Sequence, residues 1–66
     1  MDSRHKRIAT LELAIGFLQE AAERLQRLCP QLQNQEHGLE CTETAKNIWS
    51  QVTVIRTEIS YLRAEL

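Results

Sequence analysis

The chain has one proline, two glycines and two cysteines among 66 residues, and its formal net charge is −1. Each scarcity removes something. With so few breakers and no low-complexity tract, there is no linker and no domain boundary, so a single domain over residues 1–66 is expected. Two cysteines cannot build a disulfide framework. No apolar run approaches the ~18–20 residues that span a bilayer, so no membrane role is expected. A charge near zero leaves no global field to attract nucleic acid or anionic lipid. There is no glycine-rich phosphate loop and no serine or cysteine in a nucleophile motif, and the two histidines sit near the start and in a polar connection. The expectation is a protein without catalytic residues, cofactor or metal, and not an enzyme. The N-terminal MDSRHKRIATLELAIGF places basic residues before an apolar segment, but Glu12 interrupts that segment and no small-residue cleavage site follows. A signal peptide is therefore discounted and a cytoplasmic protein expected.

What is present is heptad order. Ala45, Ile48, Val52, Ile55, Ile59, Leu62 and Leu66 recur at alternating steps of three and four. Ile8, Leu11, Ile15, Leu18, Ala22, Leu25 and Cys29 do the same in the first half. Such spacing keeps one side of a helix against a partner helix. Asp2 or Ser3 is the expected cap of helix 1, about 3–29, and Pro30 ends it, because its ring clashes with the preceding turn. The polar stretch QLQNQEHGLE with Gly38 reads as a connection, about 30–41, whose Leu32 and Leu39 are expected to fold over the open end of the core. Thr42 is the expected cap of helix 2, about 42–65, with Glu43 in its first turn.

Two helices of similar length joined by a short connection lie antiparallel, so the expected fold is all-α, a coiled-coil-like hairpin. With Ile8 and Ala45 at heptad position a, the two seams meet in layers whose residue numbers sum to 70, from Ile8 with Leu62 to Cys29 with Cys41. Each of Ala22 and Ala45 faces a larger residue, which evens the layer volumes. Arg7 is level with Glu65 and Glu12 with Arg56, and opposite charges at flanking positions help select a register. A slip by one heptad needs helix through Pro30 and ranks second. Cys29, His37 and Cys41 offer three soft ligands with unusual spacing, short of a structural zinc set. The two cysteines read best as reduced thiols filling a terminal layer, with a disulfide as the alternative.

A chain this short buries only about 60% of what its unfolded form exposes, so outside support is expected. One face shows where. Ala14, Ala21 and Leu28 occupy position g beside the seam, Phe17 position c and Leu13 position f, while Val54 and Tyr61 occupy position c of helix 2. Antiparallel packing gathers Leu13, Ala14, Phe17, Ala21, Leu28, Val54 and Tyr61 on one side of the hairpin. A patch of this kind on a small protein marks an interface. The simplest occupant is a second copy, giving a homodimeric four-helix bundle; a helical partner protein is the other. Trp49, at position e on the opposite flank, either lies across helix 1 near Gly16 or serves as a second anchor. Arg4, Lys6 and Arg7 lie in the first turn of helix 1, where the helix dipole disfavours cations, which points to an acidic partner or RNA.

The leading functional expectation is a protein–protein interaction module, such as an adaptor, inhibitor or co-chaperone. In length and helix layout the chain looks like the small hairpin co-chaperones of type III secretion needle subunits; that likeness assigns no residue a role. The outline also resembles the plasmid copy-number regulator Rop, a homodimer of helical hairpins that contacts RNA through helix 1. That resemblance would make Arg4, Lys6, Arg7 and Phe17 the RNA contacts, although Glu12, Glu20 and Glu23 on the same helix repel phosphate.

Overall fold

A computed structural model describes residues 3–66. Helix α1 spans Ser3–Leu28, a 3-10 turn spans Cys29–Gln31, and helix α2 spans Gln35–Ala64. The helices pack antiparallel along their length as a hairpin 50 Å long, 15 Å wide and 11 Å thick. Among the described residues, no helix is long and apolar enough to cross a membrane.

The layered seam forms as its spacing requires. Ile8, Ile15, Ala22, Ala45, Val52, Ile59 and Leu62 are buried, and the other seam residues from Leu11 to Ile55 are half-buried. Leu66 is the exception. It lies beyond the end of α2 and is 54% exposed.

The connection is shorter than expected, and α2 begins seven residues before Thr42. Asn34 is its cap: the side-chain oxygen accepts the amide of His37 at 3.2 Å, and Glu36 sits in the first turn where the dipole favours it. Thr42 is inside the helix, its hydroxyl donating back to the Gly38 carbonyl at 3.0 Å. Gly38 has ordinary helical geometry and costs about 1 kcal/mol relative to alanine, too little to break a run that is otherwise capped and tethered. With α2 extended, Leu39 falls on the outer surface at 64% exposure and does not cover the core; Leu32 is also exposed. Ser3 is the first residue of α1 rather than its cap, and Asp2 lies outside the described residues.

Cys29 and Cys41 are joined by a disulfide, against the expectation of free thiols. The register that makes them layer partners brings their Cα atoms to 5.6 Å, inside the range a disulfide spans without moving backbone. The bond ties the 3-10 turn to the second turn of α2. Such bonds persist in oxidising compartments; in a cytoplasm the pair would be held reduced and the seam would carry the hairpin alone.

The flanking ion pairs differ from the expected ones. Glu12 meets Arg63 at 3.2 Å rather than Arg56, and Glu65 meets Arg4 at 3.3 Å rather than Arg7. For the first, the cause is the tilt of Cα–Cβ bonds toward each helix's own N-terminus. Glu12 and Arg63 lean toward each other across the antiparallel pair, whereas Arg56 leans away. Arg4 also donates to the Glu65 backbone carbonyl at 3.2 Å. A cation in the first turn of α1 thus sits at the C-terminus of α2, where the dipole favours it.

Candidate interaction surface

A helix advances about 100° per residue, so position e lies beside a, and position g lies beside d. Burial follows this division. The a residues Ile8, Ile15, Ala22, Ala45, Val52 and Ile59 are at most 9% exposed. The d residues Leu11, Leu18, Leu25, Ile48 and Ile55 are only half-buried; Leu62 alone among them is closed off. The seam is therefore sunk toward the e flank and open on the g flank.

The e flank is partly covered. Trp49 is half-buried and packs on the core cluster beside Gln19, which is also half-buried. Its indole does not cover Gly16: a Cβ built there meets no atom within 4 Å. Glu12 and Arg63 close the flank nearer the chain ends, beside a groove of about 410 Å³ that Arg56 also lines. At the loop end the same side has a hollow of about 480 Å³ walled by Pro30, Leu32, Leu39 and Lys46. The outward hydroxyls of α2, Thr53, Thr57 and Ser60, each donate to the carbonyl four residues back. They need no partner from outside.

The g flank is not finished. Leu13, Phe17 and Tyr61 are 63%, 65% and 66% exposed, and Val54 and Leu28 are exposed as well. Ala21 is exposed and Ala14 half-buried. All the residues expected to form the patch are exposed or half-buried, and none is buried in the hairpin core. Sequence reasoning missed that the half-buried d residues Leu11, Leu18, Leu25, Ile48 and Ile55 are continuous with this patch. It also missed that α1 carries a second three-and-four series, Arg7, Thr10, Ala14, Phe17, Ala21, Arg24 and Leu28, beside the first. The spacing of that series was the available signal.

The basic cluster is spread rather than gathered. Arg4 is engaged by Glu65, while Lys6 and Arg7 are exposed. Phe17 lies ten residues beyond Arg7, about 15 Å along the helix. Its neighbours Glu20 and Arg24 are paired at 2.6 Å. No known protein family matches the chain, and no characterised protein or solved structure proves similar to it.

Proposed function

We propose that this chain is a non-catalytic interaction module, a stiff helical hairpin that works by offering its g flank to another helical surface. Adaptor, inhibitor and co-chaperone are roles of this kind. The observation that carries the reading is the asymmetry of burial: on the e flank the a residues are buried and Trp49 packs on the core, while on the g flank the d residues are half-buried and the large side chains beside them are left open. Half-buried seam residues bordered by exposed Phe17, Val54 and Tyr61 make a surface that a second pair of helices covers, completing a four-helix bundle. The partner is a helical protein or a second copy of the chain.

The test is the double variant Phe17→Glu, Tyr61→Glu. Both side chains are about two-thirds exposed, so helical content by circular dichroism is expected to persist while association, read by sedimentation, is lost. Loss of helix with no change of native mass would show instead that these residues hold the hairpin itself together. An electrophoretic shift of RNA at low salt, removed by Lys6→Ala and Arg7→Ala, would replace this reading with nucleic-acid binding.

A further inference from the structure

We infer that the occupant of the g flank is a second copy of this chain, docked with α1 antiparallel to α1 so that Phe17 of each copy enters the notch over Ala21 of the other. The inference rests on the functional reading above and names its partner.

The second series on α1 runs at steps of three and four, so it is itself a seam. In an antiparallel pair its g residues face c residues of the other copy. Two registers keep it largely matched. In one, residue numbers sum to 31, and Arg7 faces Arg24. In the other they sum to 38: Phe17 faces Ala21, Ala14 faces the aliphatic stem of Arg24, and Leu28 faces Thr10. Both set Phe17 against an alanine, Ala14 in the first and Ala21 in the second, but only the second avoids opposed cations.

Four further features fit this register. The surface already holds a notch of about 240 Å³ lined by Phe17, Glu20, Ala21 and Arg24, where the incoming ring must go. The half-buried d residues fall into place beside the new seam: Leu18 meets its own copy across the two-fold axis, and Leu11 meets Leu25. Glu20 meets Glu20 of the other copy across the axis, and each is neutralised by the Arg24 of its own chain, so the four charges sum to zero. On α2 the same axis brings Gln51 to its own copy and Ile48 level with Val54, with no like charges opposed.

The area agrees. The chain exposes 5209 Å². A compact protein of 7.7 kDa exposes about 4300 Å², so the surplus is on the order of 900 Å². A standard stable interface takes about 800 Å² from each partner.

The experiment is sedimentation equilibrium on the full chain with size-swapped variants. Phe17→Ala and Ala21→Phe are each expected to raise the dimer dissociation constant at least tenfold. Together they are expected to recover most of the affinity, because the ring and the notch have changed places. Both positions are exposed in the hairpin, so helicity is expected to stay constant. Glu20→Cys is expected to cross-link to its own copy with a short bis-maleimide reagent. Lys6→Cys, on the order of 40 Å from its copy in this register, is not. A monomer at every concentration up to the millimolar range overturns the second-copy assignment, while the wider reading is decided separately by the Phe17→Glu, Tyr61→Glu variant with a helical partner. A dimer that the swap does not rescue, or that cross-links through Lys6→Cys, overturns the register.

Discussion

The two flanks of the hairpin have the same backbone and opposite finish. On the e flank, Trp49 packs on the core and the a residues are buried, with a groove beside the Glu12–Arg63 pair and a hollow at the loop end. On the g flank, Ala14, Ala21 and Leu28 of α1 border d residues that remain half in water, while the g positions of α2 are the polar Thr44, Gln51, Glu58 and Glu65. The difference shows that a two-helix hairpin covers the two edges of its seam unequally with its own side chains. With a thickness of 11 Å there is no third layer to cover the more open one.

The comparison can be broken at several points. The largest effect belongs to the shared seam: Ile59→Ala, at a residue 6% exposed, is expected to destabilise by about 2–4 kcal/mol. The same truncation at exposed Val54 should change the stability of the isolated hairpin by less than about 0.5 kcal/mol, and should weaken association instead. Denaturant unfolding followed by the fluorescence of Trp49, the single tryptophan, measures both. A comparable cost at Val54 in a dilute, monomeric sample would erase the distinction between the flanks.

Reduction of the Cys29–Cys41 bond comes next. Releasing a crosslink with a sequence separation of 12 is expected to lower stability by about 2–3 kcal/mol on the chain-entropy account. Amide exchange should then rise first between Gln35 and Cys41, the part of α2 that the bond anchors. Exchange that rises evenly along both helices would show that the bond supports the whole seam rather than its end.

Trp49→Ala sharpens the contrast from the closed side. The half-buried indole is expected to contribute about 2 kcal/mol to folding and nothing to association, the reverse of Phe17→Ala. Gly16→Ala and Gly38→Ala are expected to stabilise by up to about 1 kcal/mol each. A new Cβ at Gly16 meets nothing within 4 Å, and one at Gly38 meets only the Cys29 carbonyl, at an ordinary 3.8 Å. A loss of stability at Gly38 would mean that the 3-10 turn packs more tightly on α2 than that spacing implies. The smallest effect is at Glu12→Gln, whose exposed pair with Arg63 is worth about 0.5 kcal/mol or less and should fade with added salt.

Much of this protein was legible in the spacing of its apolar residues. The two helices and their antiparallel register follow from periods of three and four, because burial on a helix is a matter of angle. Pro30 marked the end of α1 for an equally local reason. The start of α2 was less legible. Gln35 to Glu40 is polar and contains Gly38, and only the Asn34 cap and the tether to Cys29 make it helix. The ion pairs were misassigned because level along the axis was used without the tilt of each Cβ.

The amino-acid order alone determined which residues share a side of each helix, since that depends only on the turn angle of the backbone. The tertiary structure decided what each side became. It sank the a residues and left the d residues half exposed, brought two sulfurs within bonding reach, and set Arg4 against the far end of the chain. Those outcomes depend on how far the two helices are rotated toward each other, a quantity that periodicity leaves free and packing determines.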